Sequence, residues 1–301
     1  MLIDKTVKRR NNILTLLSEN IYTFVNKALR SEVGKKLKKL VEDSTAYKRV
    51  RSEIKRYKER RLKERVLSNP LPHHVAIIMD GNRRYAKNLG LSEEEAYTKG
   101  REKAEEVLEW CIELGIKILT VYAFSTENFK RSKRELDILF KLCRQALEDA
   151  YHDERIHRNG IRVNVIGKLE LLPEDIRNAA EKLMEKTRDY KNHVLNIALA
   201  YGGRQEIVDA IREIARKVRE GKINPEDVDE RTVSSHLYTK DVPDPDLILR
   251  TSGEERISNF LLWQLAYSEL YFADVYWPAF KKEDFLRAIL TYQQRKRRFG
   301  R

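Results

Sequence analysis

Two cysteines in 301 residues are too few for a disulfide framework. Their positions, Cys111 and Cys143, give no Cys-x-x-Cys spacing for a metal or a redox pair. Both fall in helical patterns and read as core fillers in a reduced compartment. The seven prolines and twelve glycines form no low-complexity tract. Long apolar runs are also missing. Stretches such as Val75 to Met79 and Phe260 to Trp263 fall far short of the roughly 18 to 20 residues a membrane-spanning helix needs. Charges interrupt the N-terminal residues every few positions, unlike a secretory signal. The six histidines, His73, His74, His152, His157, His193 and His236, make no zinc spacing with cysteine. Of these, His152 and His157 read as helix-surface residues, and no Ser-His-Asp pattern stands out.

What is abundant is charge. Lys plus Arg number 60 against 47 Asp plus Glu, for a net charge of +13. The excess is unevenly placed: residues 1–70 hold 20 basic and 8 acidic residues, or +12, and residues 71–301 hold 40 and 39, or +1. A basic balance suggests nucleic acid or an anionic membrane as partner, and here that inference applies to the N-terminal extension alone. Apolar residues make up 41% of the chain, enough for a sizeable core and too many for a disordered protein. The expected protein is soluble and cytoplasmic, attached to a membrane at most from one side.

Two regions follow. Residues 11–66 contain no proline and a single glycine, Gly34. Apolar residues recur at helical spacing (Ile13, Leu17, Ile21, Phe24, Val25, Leu29, Val33, Leu37, Val41), which predicts two or three amphipathic helices. The stretch Lys48–Arg65 is mostly charged and reads as a solvated helix. Asn69-Pro70-Leu71-Pro72 then breaks the pattern, giving a basic helical extension over 1–70 and a body over 71–301. In the body, apolar runs at His74–Met79, Lys117–Phe124, Arg162–Ile166, Val194–Ala200, Leu247–Leu249 and Leu270–Phe272 alternate with helical segments at Glu94–Leu114, Lys133–Arg158, Pro173–Arg188, Arg204–Glu220 and Lys282–Arg297. Continuous apolar strands between helices indicate an α/β fold, a central parallel sheet of about six strands flanked by helices.

Ligands of such sheets bind at the carboxyl ends of strands. The first run ends in Asp80-Gly81-Asn82-Arg83-Arg84-Tyr85. An aspartate there can hold a divalent metal, a glycine lets the backbone approach a ligand, and two arginines beside a helix N-terminus suit a diphosphate. An aspartate cap on a surface helix reads equally well. The second run ends in Ser125-Thr126-Glu127-Asn128-Phe129-Lys130-Arg131, with groups able to orient a substrate or relay a proton, or simply to form a capped turn. The fifth run ends in Arg250-Thr-Ser-Gly-Glu254-Glu255-Arg256-Ile257-Ser258-Asn259. Two arginines and a serine make a second anion site, or pair with Glu254 and Glu255 on the surface. Glu269, ahead of the last strand, is placed to complete a metal site with Asp80. With no strong nucleophile among these residues, group transfer between two phosphorylated substrates is the chemistry suggested.

His74-Val-Ala-Ile-Ile-Met-Asp-Gly-Asn82, Phe124-Ser-Thr-Glu-Asn-Phe-Lys-Arg131, Tyr201-Gly-Gly-Arg204, Arg250 to Gln264 and Ser268-Glu-Leu-Tyr-Phe272 resemble, in order, the signature blocks of the cis-prenyltransferases, the undecaprenyl diphosphate synthase family. The resemblance spans residues 73–301. It implies repeated condensation of isopentenyl diphosphate onto an allylic diphosphate primer, farnesyl or geranylgeranyl diphosphate, giving a long polyprenyl diphosphate lipid-carrier precursor. It further implies Mg²⁺ at Asp80 and Glu269, and allylic diphosphate at Gly81, Asn82, Arg83, Arg84 and Arg131, with Tyr85, Tyr97, Thr126, Glu127 and Phe129 around the substrates. Isopentenyl diphosphate falls to Arg250, Arg256, Ile257 and Ser258, and proton removal to Ser125 and Asn128. A tail containing Arg298 and Gly300 reaches the partner's site in a homodimer. Three positions depart from the family pattern. Tyr97 stands for a usual histidine and Glu93 for a usual arginine, with Lys99 and Arg101 as the neighbouring cations. Phe129 replaces a common tryptophan. The helix bearing Leu136, Leu139, Phe140, Cys143 and Leu147 is the expected wall of a tunnel for the growing chain, or ordinary core.

Other functions compete with this one. A non-catalytic scaffold subunit of a two-component prenyltransferase would keep the fold and lose motif residues, which are present here. A nucleic-acid binder would use the extension, which lacks Gly-aromatic interleaving, so no nucleic acid is expected. Residues 11–45 are instead expected to lie on an anionic membrane, Ile13, Leu17, Ile21 and Phe24 inserting among headgroups, or to form a helical hairpin packed on the body or the dimer.

Overall fold

The computed structural model describes residues 45–295. The membrane-contact stretch up to residue 44 and the tail positions Arg298 and Gly300 lie outside the described residues. The chain divides into two compact units, residues 1–61 and 62–301. Helix α1, Thr45–Leu67, is largely exposed up to its last turn. There Val66 is fully buried and Leu62 packs on the same core, so the second unit starts ahead of the Asn69–Pro72 break.

In that unit β1 (His74–Ile78) leads to α2 (Asn82–Leu89), α3 (Glu93–Leu114) and β2 (Ile118–Tyr122). After a 3₁₀ turn at Thr126–Lys130 come α4 (Lys133–His152), α5 (Glu154–Arg158), β3 (Ile161–Ile166), α6 (Glu174–Thr187) and β4 (His193–Ala198). The chain ends with α7 (Gly203–Arg219), α8 (Glu230–Ser234), β5 (Leu247–Thr251), β6 (Glu269–Ala273) and α9 (Lys282–Gln294). The helix expected over 133–158 is two helices. Asp153 interrupts it because its side chain accepts the Arg155 amide and starts a new N-terminus, which an aspartate does better than it continues a helix.

All six strands are parallel, in the order β3-β4-β2-β1-β5-β6. Every residue of β1, β2 and β5 is buried, as unbroken runs such as HVAII and ILTVY require when helices cover both faces. From β1 the chain passes to β2 on one side and later to β5 on the other. The crevice at that switch point opens at the carboxyl ends of β1, β2 and β5. One polar line crosses the buried sheet: His74 Nε2 lies 2.7 Å from Thr120 Oγ1, Asn196 donates to Thr120 at 3.0 Å, and Asn164 donates to Asn196 at 2.9 Å. Burial pushes the His74 imidazole down to about 4.

The cysteines pack as expected, Cys111 buried and Cys143 half-buried. Burial pushes the Cys143 thiol up to about 12 and Cys111 higher. His157 is not a free surface residue, since its ring contacts Tyr190 Oη at 3.0 Å and the Tyr151 carbonyl at 2.9 Å.

Candidate active site

The three central strands deliver three loops to one edge. After β1, Gly81 turns the chain at φ +105°, a conformation few side chains tolerate, and a Cβ there would meet Tyr276 at 2.8 Å. Helix α2 starts directly behind it. The Asp80 peptide is fastened by its neighbours: its N–H donates to Thr251 Oγ1 at 3.0 Å, and its carbonyl accepts from Thr251 Oγ1 at 2.7 Å and the Trp277 N–H at 3.0 Å.

Asp80 Oδ2 accepts from Arg250 Nη2 at 2.7 Å and Oδ1 from Arg84 Nη2 at 3.4 Å. Burial pushes the carboxyl up, yet the Arg250 hydrogen bond and the charges of Arg250 and Arg84 outweigh it and hold it below the usual carboxylate range. Arg250 is 4% exposed. Its Nη1 donates to Ser258 Oγ at 2.7 Å and to the Arg256 carbonyl, and its buried Nε has no partner. Glu254 joins the two loops, with Arg84 Nη1 on one oxygen at 2.6 Å and Arg256 on the other. Of the two arginines expected to pair with surface glutamates, Arg256 does so and Arg250 is drawn inward to Asp80.

A second cluster lies around Glu135, a buried carboxylate that sequence inspection missed. Tyr97 Oη donates to it at 2.6 Å, Arg131 Nη1 donates to it at 2.6 Å and to Tyr97 Oη at 2.8 Å, and Arg83 Nη1 is 3.7 Å away. Burial, then the hydrogen bond to Glu135, raises the Tyr97 hydroxyl far above its ordinary range, so Tyr97 is a neutral donor. The available signal was the i,i+4 spacing of Glu135 behind Arg131. Glu93 sits in the first turn of α3, where Ser92 and Glu95 form a capping box and acidic residues suit the helix dipole. Arg101 is committed elsewhere, to Glu105 and Asp149.

In the loop after β2, the Ser125 N–H donates to Asn128 Oδ1 at 3.0 Å. That occupies the amide oxygen and leaves the Asn128 NH₂ for a ligand. Glu127 accepts from Asn259 Nδ2 at 2.9 Å, and the Thr126 N–H donates to the Tyr201 carbonyl at 3.0 Å. Phe129 does not line the crevice. It packs edge-on to Phe124, ring centroids 5.0 Å apart, and against Phe140. Tyr85 and Ile257 are half-buried. Four residues of the 252–261 loop, Ser252, Ser258, Asn259 and Leu261, hold left-handed backbone. Such strain persists where surrounding contacts over-determine it, as at binding sites.

The crevice continues into a cavity of about 1040 Å³. Asp80, Asn128, Arg131 and Arg250 stand in its lining, with Leu108, Leu139, Leu142, Ala146, Leu195 and Ile197 forming its apolar walls. Helix α4 lines the cavity on a face that shares only Leu139 with the five residues expected. Leu139, Leu142 and Ala146 line the cavity, whereas Leu136, Phe140, Cys143 and Leu147 belong to the core stripe.

Glu269 is not near Asp80. Parallel pairing sets Glu269 level with Leu247, and Leu247 level with Val75, five residues before Asp80. At about 3.3 Å per residue that is roughly 16 Å along the strands, at the opposite edge of the sheet, where Glu269 accepts from Arg295 at 2.7 Å. The expectation that the two complete one metal site within a chain fails on register. No cluster of three or more His, Cys, Asp or Glu able to hold a metal exists among the described residues. Asp80 alone still fits a hard cation, because one of its oxygens has only the long Arg84 contact and substrate phosphates can supply the remaining ligands.

Two arginine-bearing loops flanking one carboxylate at the mouth of an apolar cavity define a transferase that handles diphosphates of apolar chains. The undecaprenyl diphosphate synthase family pattern matches residues 78–300, and the chain belongs to that family. It is 57% identical over 240 residues to a tritrans,polycis-undecaprenyl-diphosphate synthase (geranylgeranyl-diphosphate specific) of Thermoplasma acidophilum, covering 80% of this chain and 93% of the relative. The enzyme of the same name from Thermococcus kodakarensis is 58% identical over 240 residues, covering 80% and 91%. The fold matches lavandulyl diphosphate synthase from Lavandula x intermedia, crystallised with dimethylallyl diphosphate, at a TM-score of 0.74 and 39% identity, covering 77% of this chain and 99% of that one. The activity is cis-prenyl chain elongation, in which isopentenyl diphosphate adds to an allylic diphosphate.

Proposed function

We propose that the enzyme extends geranylgeranyl diphosphate, with Mg²⁺, to a long polyprenyl diphosphate that serves as a lipid-carrier precursor. The observation that carries the site assignment is the Asp80–Arg250 pair at 2.7 Å at the head of an apolar cavity. Two relatives at 57% and 58% identity that bear the geranylgeranyl-specific name support the primer. Asp80 would hold the metal, which neutralises charge on the departing diphosphate.

Gly81, Asn82, Arg83, Arg84 and Arg131 bind the allylic diphosphate, with Tyr97 and Glu135 setting the direction of Arg131. Arg250, Arg256 and Ser258 bind isopentenyl diphosphate, and Ser125 and Asn128 orient its reacting carbons. The allylic C1–O bond breaks with its electron pair leaving on diphosphate. The terminal alkene carbon of isopentenyl diphosphate bonds to C1, and loss of a proton from its C2 forms the new cis double bond. An amide whose oxygen already accepts a hydrogen bond is a poor base, and Asp80 is held below its usual range. The proton therefore goes to the released diphosphate, with Asn128 as a guide. Fixed guanidinium groups stabilise the developing charge without reorganising.

Incubation with labelled isopentenyl diphosphate, Mg²⁺ and primers of two, three and four isoprene units tests this reading. Turnover should be fastest with the four-unit primer and absent in Asp80→Ala. Equal use of all primers overturns the primer assignment, and full activity in Asp80→Ala overturns the site.

The enzyme works as a homodimer, each tail bringing Arg298 and Gly300 to the partner's site; an active monomer in light scattering contradicts this. Among the described residues no helix is long and apolar enough to cross a membrane. Residues 11–45, basic and amphipathic in sequence, bind an anionic bilayer. The full chain with Ile13→Glu, Leu17→Glu and Phe24→Glu should lose liposome binding, and retained binding rejects the membrane role.

A further inference from the structure

Arg84 is held by three contacts of two kinds. Its Nη1 donates to Glu254 at 2.6 Å and its Nη2 to Asp80 at 3.4 Å. Its guanidinium carbon also lies over the ring of Tyr276, 5.7 Å from the centroid, within the range in which a ring quadrupole attracts a cation. The two carboxylates occupy N–H donors that an incoming phosphate needs, so those contacts are given up when diphosphate binds. The ring face takes up no donor. It supports the plane of the guanidinium and leaves the N–H groups in that plane for phosphate oxygens.

Tyr276 is itself fastened on both sides, in the short connection between β6 and the 3₁₀ turn Trp277–Ala279. The Val275 carbonyl accepts the Ser252 N–H at 2.7 Å, and the Trp277 N–H donates to the Asp80 carbonyl at 3.0 Å. Trp277 is buried, and its indole N–H donates to the Gly100 carbonyl at 2.7 Å. The atoms nearest to where a Cβ on Gly81 would stand all belong to Tyr276, at 2.8–3.1 Å. The side chain therefore lies directly against the turn that starts α2, the helix carrying Arg84. An aliphatic residue would cover Gly81 as well, but it has no π face for a guanidinium.

We infer that Tyr276 is a positioning residue for the allylic diphosphate, a ring platform that keeps Arg84 in place once its carboxylate partners are displaced. This rests on the assignment of Arg84 to that diphosphate. Arg84 is 42% exposed in the free protein, and a bound substrate covers it. Because a cation–π contact gains strength as water is removed, the ring favours the bound state over the free one by about 5-fold to 13-fold.

The test measures the KM for geranylgeranyl diphosphate with the full-length enzyme at saturating isopentenyl diphosphate and Mg²⁺. Tyr276→Leu should raise it about 5-fold to 13-fold, with kcat and the KM for isopentenyl diphosphate close to wild type, and Tyr276→Phe should restore it. Phenylalanines of increasing ring fluorination at position 276 keep the shape while draining the ring face, and should raise the primer KM stepwise. They decide the matter if Tyr276→Leu does not fold. In an Arg84→Met background, whose primer KM is already raised, Tyr276→Leu should add nothing. A primer KM indifferent to fluorination, or a Tyr276→Leu effect that persists without Arg84, overturns the platform alone. An unchanged primer KM in Arg84→Met overturns the assignment of Arg84 beneath it.

Discussion

Replacing Asp80 by asparagine separates its two roles. The amide keeps the shape, so the Thr251 and Trp277 contacts to the Asp80 peptide remain, and the charge disappears. The carboxylate is the sole anionic partner of Arg250 among its hydrogen bonds at 2.7 Å. Losing a hydrogen bond between charged groups costs about 1.5–3 kcal/mol, and a buried guanidinium left unpaired puts the loss toward the upper value. At roughly 2–4 °C per kcal/mol for a domain of this size, the ligand-free protein should melt about 5–10 °C lower.

Binding of inorganic diphosphate without metal should move the other way. A carboxylate about 5 Å from a phosphate charge opposes it by roughly 0.8 kcal/mol at the dielectric of water and about 3 kcal/mol at an effective value of 20. Asp80→Asn should therefore bind metal-free diphosphate about 4-fold to 150-fold more tightly, while losing Mg²⁺-dependent binding and turnover. Calorimetric titration with and without Mg²⁺ measures both. Metal-free affinity that is unchanged or weaker, or Mg²⁺-dependent turnover that survives, refutes the assignment of Asp80 as the metal carboxylate among the arginines.

Three further outcomes follow from the same geometry. Glu254→Gln releases Arg84 and Arg256 from their shared carboxylate; metal-free diphosphate should bind more tightly and leave more slowly, by titration and stopped flow, and weaker binding would make Glu254 an organiser instead. Ala146→Phe fills the cavity beside Leu142, so products should shorten by one or more isoprene units while the first condensation persists. His74 is neutral when folded, with its imidazole lowered to about 4 from 6.5. The unfolded chain therefore takes up a proton first as pH falls, and up to about 3 kcal/mol of stability present above pH 6.5 is lost between 6.5 and 4. In His74→Gln the melting temperature should fall less steeply over that window, and parallel slopes would show that another group titrates.

The layered fold and the residues at its carboxyl edge were legible in the sequence because the central strands β1, β2 and β5 are near-continuous apolar runs followed by polar residues. Period and length distinguish strand from helix here, and the switch-point rule points to the loops after β1, β2 and β5. Pairing was less accessible. Arg131, Arg84 and Arg256 read as bare cations, since sequence does not show that Glu135 and Glu254 lie against them. Glu269 misled for a related reason: a carboxylate beside a strand has an obvious chemistry, but only the parallel register tells which edge it occupies. The tunnel wall illustrates helical phase. Leu136, Phe140, Cys143 and Leu147 form as good a stripe as Leu139, Leu142 and Ala146, and choosing between them requires knowing which side faces the sheet and which the cavity.

The acidic partners matter as much as the arginines. A cluster of unpaired guanidinium groups aimed into a low-dielectric crevice would repel itself when empty and hold diphosphate too firmly after each condensation. Here every arginine at the edge with a described ion pair, Arg83, Arg84, Arg131, Arg250 and Arg256, meets Asp80, Glu135 or Glu254. On the proposed site assignment, incoming phosphates exchange one set of ion pairs for another, and the carboxylates reclaim the arginines as diphosphate leaves. For an enzyme that repeats the same condensation many times on one chain, that exchange makes diphosphate release compatible with tight stabilisation of the transition state. The same logic places the apolar cavity beyond the charged mouth. With the prenyl chain in that cavity, as proposed, contacts that grow with its length anchor it while its head group is released and rebound at each cycle.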